Sequence, residues 1–381
     1  MRVAHICLSC FYIDGFGYQE NELVRQHVAD GHDVLVIAST ETYGLDKRLS
    51  YVLPGSYMGS DGAMVVRLAY KGWLPHSVMT KLRMHPGVYS QLDLFKPDVV
   101  MFHGLCGWEL LSVARYKKNN PGVRFFADSH EDFNNSARGW ISRELLHKIY
   151  YAKIIQRCLP CIDQILCLSL DCINFVESVY RVPRERLEFY PLGGNVYPDD
   201  EYQLRRRRGR DSCGVDEEDV MLLQTGKMGA RKKVLESIRS FKATKGESLR
   251  FILAGSFDPQ IESQALELIS TDPRIKFLGW KNVDELKDLL CAADVYIQPG
   301  TQSATMQMSL CARCPVVLDD VLSHRIFVDG NGWLIKDVAE LSSVFEEIRD
   351  GKTRLDVMAE KSLAVARRWL DYRTLAARVL Q

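Results

Sequence analysis

The feature that most constrains this 381-residue chain is a series of short apolar runs that alternate with longer amphipathic runs. Each half of the chain contains one such series. In the first half, an apolar run at residues 2–9 is followed by a glycine-containing loop, a helical pattern at residues 20–30 and a second apolar run at residues 33–38. The alternation begins again after residue 218. Two such series predict two doubly wound α/β domains, each built on a parallel sheet.

Further runs of strand length follow in both halves. They lie at residues 98–102, 124–127, 164–168, 220–224, 249–254, 275–278, 295–298 and 316–318. Residues 191–219 are rich in Gly, Asp and Arg, which predicts a linker between the two series. Ligands of doubly wound sheets bind beyond the carboxyl ends of the strands, so we expect the functional residues in the loops after these runs.

Composition excludes several classes of protein. Lys plus Arg and Asp plus Glu are equal at 49 each, so no overall positive charge favours nucleic acid. No run approaches the roughly 18 apolar residues of a membrane span, and the first residues lack the basic flank and cleavage site of a signal peptide. We therefore expect a cytoplasmic protein that binds no nucleic acid.

The 11 cysteines indicate a reducing compartment, because their number is odd and no signal peptide is recognisable. Cys158 with Cys161, and Cys311 with Cys314, form C-x-x-C pairs that are compatible with a zinc site or a redox pair. Each pair lies in a separate apolar helical pattern, however, so buried thiols are the favoured interpretation.

Glycines precede the first predicted helix in the loop D-G-F-G-Y-Q-E-N. Gly15 and Gly17 would let the backbone approach a ligand at the positive end of the helix. The third glycine of a dinucleotide-binding fingerprint is missing, and a plain turn remains the alternative.

Two lysines follow the first strand of the second half. Lys227 comes directly after Gly226, and Lys232 lies where a helix is predicted to begin. Two cations at a helix N-terminus suit a diphosphate, although a solvated basic turn is the commoner fate of such a cluster. The spacing is not that of a P-loop.

Polar residues also follow the later strands of the second half. The loop that contains Trp280 precedes a helix for which Asp284 is a candidate N-cap. Ser303, Thr305 and Gln307 lie where another helix is predicted to begin, so they suit phosphate and ribose hydroxyls or simple capping.

Titratable residues follow two strands of the first half. Asp128, His130 and Asp132 come after one strand, and His103 after another. Such groups at a strand end are expected to be solvated or functional. Successive side chains at a strand end alternate in direction, so at most alternate members of D-x-H-x-D could share an ion, and we expect no metal.

Over nearly its whole length, the chain resembles the GT-B glycosyltransferases of the retaining group that includes glycogen synthases, sucrose synthases and bacterial lipid mannosyltransferases. The motifs, in order, are the glycine loop before E-N-E-L, G-H-D-V, H-E-D, C-L-S-L-D, P-L-G-G-N, G-K followed by Lys232, F-L-G-W, A-A-D-V-Y-I-Q-P and N-G-W-L-I. The resemblance implies two Rossmann-like domains that face a cleft. They would be residues 1–195, joined by a C-terminal helix at about residues 362–381, and residues 219–361 after a linker at 196–218.

The resemblance also implies roles for particular residues. Lys227, where the family has an arginine, and Lys232 would bind the donor diphosphate and stabilise its departing charge. His130 would lie near the hydroxyls of the donor sugar, with His103, Asp128 and Asp132 as acceptor-side candidates. Gly15, Gly17 and Gly226 would contact the donor, and the loop from Trp280 to Val283 would hold its base, largely through backbone.

One departure from the family concerns two glutamates with seven residues between them. Alignment on Cys314-Pro315-Val316 places them at Gly300 and Met308, neither of which is acidic. Ser303, Thr305 and Gln307 are the candidates to replace them as donor-binding residues.

The implied activity is transfer of a sugar from a nucleoside diphosphate sugar, of the UDP or GDP type, to a hydroxyl of a glycan or lipid-linked acceptor. The family uses no metal or other cofactor for this reaction and retains the anomeric configuration. Polysaccharide biosynthesis is the expected setting. A non-catalytic GT-B partner subunit and a nucleotide-sugar epimerase of the same fold are the alternatives.

Two basic stretches raise the question of peripheral contact with the inner face of a membrane. Arg205–Arg208 and Arg210 could attract anionic lipid or remain a solvated linker. The apolar and basic stretch from Gly72 to His85 is the better candidate for a lipid-linked acceptor or a membrane face.

Overall fold

The computed structural model describes residues 1–44, 48–73, 75–301 and 303–381, without the side chains of residues 352 and 353. The chain divides into two compact units. The first unit contains residues 1–191 and 375–381, and the second contains residues 192–374. No helix among the described residues combines the length and the apolar character needed to cross a bilayer.

The first unit is built on an eight-stranded sheet in the order β10-β9-β8-β7-β1-β2-β6-β5, parallel except for the edge strand β5. Its strands are β1 (Arg2–Cys7), β2 (Asp33–Ser39), β5 (Gly55–Met58), β6 (Met64–Leu68), β7 (Val99–Phe102), β8 (Arg124–Ser129), β9 (Gln164–Cys167) and β10 (Leu187–Phe189), beside a hairpin of β3 (Glu41–Tyr43) and β4 (Leu49–Tyr51). Its helices are α1 (Gln19–Ala29), α2 (His76–Leu82), α3 (Val88–Phe95), α4 (Leu110–Asn119), a π-helical stretch (Ser142–Tyr151), α5 (Ala152–Cys158) and α6 (Leu170–Tyr180).

The second unit is built on a six-stranded parallel sheet in the order β13-β12-β11-β14-β15-β16. Its strands are β11 (Val220–Met228), β12 (Leu249–Phe257), β13 (Ile275–Phe277), β14 (Val295–Gln298), β15 (Val316–Asp319) and β16 (Gly332–Ile335). Its helices are α7 (Asp199–Cys213), α8 (Val234–Ala243), α9 (Glu262–Ser270), α10 (Val283–Ala292), α11 (Ala304–Cys311), α12 (Leu322–Arg325), α13 (Glu340–Asp350) and α14 (Lys352–Trp369), and α15 (Tyr372–Arg378) contains the return to the first unit.

Continuous apolar runs explain why both sheets are parallel. All four residues of β7 and the first six of β11 are buried, as expected for strands that helices cover on both faces. The strand order reverses between β1 and β7 in the first unit and between β11 and β14 in the second. Loops beyond the carboxyl ends of these strands are therefore the places where each unit can bind a ligand. The predicted α/β architecture with two parallel-sheet domains is confirmed.

The arginine-rich stretch that the sequence predicts as a linker is instead helical, as α7. Its guanidinium groups bind the neighbouring helix α10 and the residues after it: Arg205 and Arg208 each lie 2.9 Å from Asp288, and Arg206 lies 2.6 Å from Asp294. These ion pairs tie the run to the second unit, although Arg207 and Arg208 stay exposed on its outer face. The run is thus a packed helix and not a solvated linker.

The C-terminal helical pattern is interrupted where the sequence predicts a single helix. Asp371 forms an isolated parallel bridge with Gly194, which separates α14 from α15. The Gly194 amide donates to Leu370 O at 2.9 Å, and the Tyr372 amide donates to Gly194 O at 3.2 Å. A strand-type contact has replaced the helical hydrogen bonds at this point.

Two smaller expectations can be compared with the structure. The N-cap of α10 is Asn282, which forms a capping box with Glu285, whereas the predicted cap Asp284 lies in the first turn. The thiols of both C-x-x-C pairs are buried, so they pack as small apolar side chains.

Candidate functional site

The two predicted lysines of the second unit line one cavity of about 510 Å³ beyond the end of β11. Lys227 is the penultimate residue of β11, and Lys232 is the last residue of a short 3₁₀ turn that begins at Ala230. Arg231 also lines the cavity, and Asp258 contributes the opposing charge. Three cations against one carboxylate make this cavity suited to an anion.

Lys232 is held in place before any ligand binds. Its ammonium group donates to Thr301 O at 2.8 Å, which joins the loop after β11 to the loop after β14. Burial, together with the nearby charge of Arg231, lowers the pKa of Lys232 to about 8. A negatively charged ligand would remove that penalty, so the side chain is prepared to receive an anion.

Gly300 shows why a glutamate is absent from the first of the two aligned positions. Its φ is +110°, and a Cβ at this position would lie only 2.0 Å from Arg231 O. The Thr301 amide donates to the same carbonyl at 3.2 Å. Gly300 therefore packs the two loops together and has no room for a side chain.

Ser303 and Thr305 are largely engaged within the second unit. The Ser303 hydroxyl donates to Gln298 Oε1 at 2.5 Å and caps α11, and it lies 3.0 Å from the Thr305 hydroxyl. Both hydroxyls belong to a buried network around the Tyr296 hydroxyl, which lies 2.9 Å from Thr305 Oγ1. This network favours the capping interpretation for Ser303.

Sequence reasoning missed two glutamines that support the cavity. Gln224 donates to Lys232 O at 2.9 Å, and Gln298 donates to Thr301 O at 2.8 Å. Each is a buried amide in an otherwise apolar strand. A polar residue in a run buried on both faces was the available signal, because such a group needs an internal partner.

The remaining donor-side predictions in the second unit lie at the ends of its strands. Gly226 is within β11 with a φ of +109°, and Val283 begins α10 as an exposed residue beside the exposed ring of Trp280. Gln307 is buried on α11, and its Oε1 has no hydrogen-bond partner among the described residues. Met308, at the other aligned glutamate position, is half-buried on the same helix.

In the first unit, the predicted sugar-side residue His130 is partly exposed. About a third of its side chain is exposed, at 33%, while its Nε2 lies 3.2 Å from Asp128 Oδ1 and 3.7 Å from Glu20 Oε1. Burial would lower the pKa of His130, but the charges of Asp128 and Glu20 raise it to about 10. His130 is consequently a cation at neutral pH, able to donate to an oxygen and unable to act as a base.

His103 and Asp128 do not lie where an acceptor could touch them. Both side chains are wholly enclosed, and His103 Nδ1 lies 2.6 Å from Asp128 Oδ2. Asp128 Oδ1 also accepts from the Gly104 amide at 2.6 Å, and the two histidines lower the pKa of Asp128 despite its burial. The prediction of acceptor contact is therefore wrong for these two residues, which support His130 instead.

Asp132 has a local structural task. Its Oδ1 accepts from the amides of Asn134 and Asn135 at 2.7 and 2.8 Å, so the carboxylate closes the turn that follows β8. This explains its sequence position after His130 without a ligand.

The glycine loop before α1 is exposed, and Gly15 takes the left-handed conformation with a φ of +77°. Gly17 lies two residues later, close to Gln19, whose buried side-chain amide has no partner among the described residues. Glu20 follows and faces His130. Neither Gln19 nor Glu20 was recognised from the sequence, since both occupy ordinary first-turn positions of a helix.

A second cavity, of about 390 Å³, lies within the first unit beside Glu131. Lys81, Arg83 and Arg138 line it, and Arg83 is anchored by a 2.7 Å hydrogen bond to Cys106 O. Part of the predicted acceptor stretch, Gly72 to His85, therefore borders a polar cavity that carries positive charge.

Comparison with known proteins agrees with this architecture. Residues 14–195 match the family model described as Glycosyltransferase Family 4, and residues 219–350 match the model described as Glycosyl transferases group 1. An uncharacterized glycosyltransferase of Methanocaldococcus jannaschii is 26% identical over 325 residues, which span 81% of this chain and 77% of the relative.

Solved structures of similar fold cover nearly the whole chain. WaaG, a glycosyltransferase involved in lipopolysaccharide biosynthesis, is 18% identical with a TM-score of 0.60 over 99% of this chain and 98% of its own. Sucrose-phosphate synthase from Thermosynechococcus elongatus is 14% identical with a TM-score of 0.67 over 100% and 97%. HepE of Anabaena in complex with UDP is 12% identical with a TM-score of 0.64 over 100% and 98%. At these identities the likeness shows a shared GT-B fold.

Proposed function

We propose that this glycosyltransferase, whose units match a family 4 domain and a group 1 domain, transfers a hexosyl group from a nucleoside diphosphate sugar to a hydroxyl acceptor. The observation that carries the proposal is the cavity of about 510 Å³ in which Lys227 and Lys232 stand at a strand end. UDP is our first choice of donor diphosphate, because the similar HepE structures hold UDP and UDP-glucose. GDP remains the second.

The proposed reaction retains the anomeric configuration and needs no metal. The bond between the anomeric carbon and the diphosphate oxygen breaks, and its electron pair leaves with the diphosphate. The acceptor oxygen bonds to the same face of that carbon, and its proton passes to the departing oxygen. Negative charge grows on the diphosphate as it leaves, so fixed cations at Lys227 and Lys232 would stabilise the transition state more than the ground state.

His130 supports the sugar side of this proposal. As a cation with a partly exposed ring, it would donate to a hydroxyl or ring oxygen of the donor sugar. Its protonation rules out a role as the base that activates the acceptor, which is consistent with a departing diphosphate that accepts the proton itself.

The cavity beside Glu131 supports our choice of acceptor class. Arg83, Lys81 and Arg138 suit an acceptor that carries hydroxyl or anionic groups, such as a glycan or a lipid-linked saccharide. Exposed Trp140 and Ile141 adjoin this lining in the chain, which would suit a peripheral contact with the inner face of a membrane by a cytoplasmic enzyme.

Substitution of Lys232 tests the transfer reaction. We expect Lys232→Ala to lower kcat for sugar transfer by about 10²-fold or more, as loss of one charge-stabilising donor typically does. The matched control is Lys233→Ala, since Lys233 lies outside the cavity lining and pairs with Asp319 at 2.7 Å. Equal transfer rates in the Lys232 and Lys233 variants, measured with UDP-glucose and separated products, would contradict the proposal.

A non-catalytic GT-B subunit is the second candidate, and Gly300 favours it, because that position cannot hold a carboxylate. Calorimetric titration with UDP and GDP, followed by a search for turnover with donor sugars, separates the two functions. Tight diphosphate binding without transfer or donor hydrolysis for any common sugar would favour the subunit.

A further inference from the structure

Three buried histidines form an unbroken line of hydrogen bonds behind the His130 site. His27 Nε2 lies 3.1 Å from Ala376 O, and His27 Nδ1 lies 2.9 Å from His5 Nε2. His5 Nδ1 in turn lies 2.9 Å from His103 Nε2, and His103 Nδ1 lies 2.6 Å from Asp128 Oδ2. All three rings are wholly buried.

The number of protons in this line follows from counting donors. Four hydrogen bonds join three rings to two groups that only accept, the Ala376 carbonyl and the Asp128 carboxylate. Three neutral imidazoles carry only three N–H groups, one each. Asp128 is ionised, because its carboxylate accepts from the Gly104 amide and, despite burial, its pKa is lowered by His103 and His130. With Asp128 ionised, all four bonds can exist together only when one ring carries a second proton, so the three rings together carry one positive charge.

The surroundings decide which ring holds that extra proton. His103 touches the Asp128 carboxylate, whereas His27 faces a neutral carbonyl and His5 lies between two other rings. A buried positive charge is stable only beside a negative one. His103 is therefore the imidazolium, and His5 and His27 are neutral rings that carry hydrogen on Nε2.

The titratable groups around the line agree with this assignment. His103 is faced by Asp128, by Cys7 on β1 and by Glu20 on α1, and these raise its pKa to about 9 against the effect of burial. Burial lowers the pKa of His27 to about 4, with smaller effects of Asp30 and His32 at the end of α1, and lowers that of His5 as well.

We propose that His5, His27 and His103 are positioning residues that keep one proton beside Asp128 and so hold His130 in place. The Ala376 carbonyl, which accepts from His27, completes this arrangement. The part of the proposal that concerns His130 and substrate rests on the proposed function. The protonation of the line does not, because it follows from the hydrogen bonds and the ionised state of Asp128.

The segment that carries Ala376 is itself anchored. The Tyr190 hydroxyl donates to Leu375 O at 2.8 Å, and Arg378 donates to Phe189 O at 2.8 Å and pairs with Glu188. Both anchors lie at the end of the sheet that contains β10. Removal of Ala376 from His27 would leave a buried N–H without a partner, which costs about 1–3 kcal/mol.

Nitrogen-15 NMR of the histidine rings tests the proton count directly in the full chain labelled at histidine. Ring nitrogen shifts distinguish a neutral Nε2–H ring, a neutral Nδ1–H ring and an imidazolium. At pH 7.5 we expect His103 to be an imidazolium, assigned by the loss of its signals in His103→Gln and distinguished from the His130 imidazolium by the same comparison with His130→Gln. We expect His5 and His27 to be neutral Nε2–H rings, assigned by the loss of their signals in His5→Gln and His27→Gln. A neutral His103 ring at this pH would overturn the proposal.

A His27→Phe variant tests the dependence on the far end of the line. Without His27, two bonds remain for two rings, so no extra proton is required and the titration of His103 should move from about 9 toward its ordinary range. The control is His32→Gln, since that ring lies 6.0 Å from His27 without belonging to the line. An unchanged His103 titration in His27→Phe would refute the dependence of His103 on the rest of the line. The expected protonation of the line in a wild-type protein that shows no sugar transfer would count only against the proposed function.

The ring of His130 gives a second readout that mere structural support would not move. If His103 loses its proton in His27→Phe, the Asp128 carboxylate balances His130 alone, so the pKa of His130 measured by NMR should rise, whereas it should stay in place in His32→Gln. A His130 titration that is identical in both variants would overturn the claim that the line acts on His130.

Discussion

Lys232 carries a charge whose stability depends on its surroundings, because burial and Arg231 hold its pKa near 8. Below that pH the side chain is an ammonium that can pair with a diphosphate, and above it the free protein progressively loses the proton. The residue therefore makes anion binding sensitive to pH in a range where most lysines would not respond.

We expect the Kd for UDP to rise above about pH 8, by up to tenfold for each further pH unit, because binding must then return a proton to Lys232. Lys232→Arg should flatten this dependence, since a guanidinium stays charged over the same range. Calorimetry between pH 6.5 and 9.5 measures both profiles. A constant Kd across that range in the wild-type protein would exclude this role.

Gly300 matters for a different reason, because no side chain fits at its position. A Cβ would lie 2.0 Å from Arg231 O, and the φ of +110° is unfavourable for any other residue. Gly300→Glu, which would place an acid at the first of the two aligned positions, should lower the free energy of unfolding by about 2–4 kcal/mol through overlap and backbone strain.

Met308→Glu is the matched change at the other aligned position, which is half-buried on α11. We expect it to cost less than Gly300→Glu. Urea unfolding of the two variants provides the comparison, and a Gly300→Glu protein as stable as wild type would contradict the packing argument.

At the scale of elements, the pair α7 and α10 shows how a sequence pattern can mislead. The stretch is polar because its arginines bind Asp288, Asp294 and the last carbonyls of α10, and not because it is solvated. Nothing in the local sequence reveals a partner about eighty residues away. Gly209 in the middle of α7 looked like a linker residue, but it is the point where the two helices meet most closely.

Gly209→Ala tests that contact. In an exposed helix this change would stabilise by about 1 kcal/mol, but here the new Cβ would lie 2.3 Å from Asp288 O and 2.7 Å from the Ala292 Cβ. We expect a net loss of about 1–3 kcal/mol from overpacking. Gln203→Ala at an exposed position of α7 is the control, and equal urea midpoints for the two variants would contradict the close approach.

The strands of the two sheets differ in how far the sequence predicts them. Central strands such as β1, β2 and β11 were recognised because they are buried on both faces and stand out as apolar runs. The edge strands β5, β10 and β16 were not predicted, since an edge strand needs only part of that pattern and depends on its neighbour for pairing. The interior strand β6 was not predicted either, whereas the edge strand β13 was.

The candidate site was open to prediction only in part. Lys227, Lys232 and His130 stand out in the sequence as charged residues at strand ends, where ligands of such sheets bind, and their roles stay predictions. His5 and His27 did not, because a single buried histidine in a strand or helix looks like core until its partners from other elements are known. Asp128 was recognised, but its enclosure by His103 and Gly104 was not.

At the scale of the whole molecule, the histidine line links stability to pH in both directions. Below about pH 6.5 the unfolded chain binds protons at His5 and His27, whereas the folded His27 ring takes one up only near pH 4 and burial lowers the pKa of His5 as well, so stability falls with acid. Above pH 6.5 the folded protein keeps a proton on His103 that the unfolded chain has lost, so this contribution fades as the pH rises through about 9.

Comparison of wild type with His27→Phe isolates this effect. We expect the difference in free energy of unfolding between the two proteins to be largest near pH 6.5 and to shrink on either side, as measured by urea unfolding between pH 5 and 9. A difference that is constant with pH would show that His27 contributes packing alone.

The position of Ala376 in the sequence affects the order in which the two units can be completed during synthesis. During synthesis the ribosome completes residues 192–374, the entire second unit, before it reaches the residue that accepts the His27 hydrogen bond. Domains generally fold in the order in which they emerge. Until the second unit has been made, His27 in the interior of the first unit lacks its backbone acceptor, so the unit that is synthesised first is completed last.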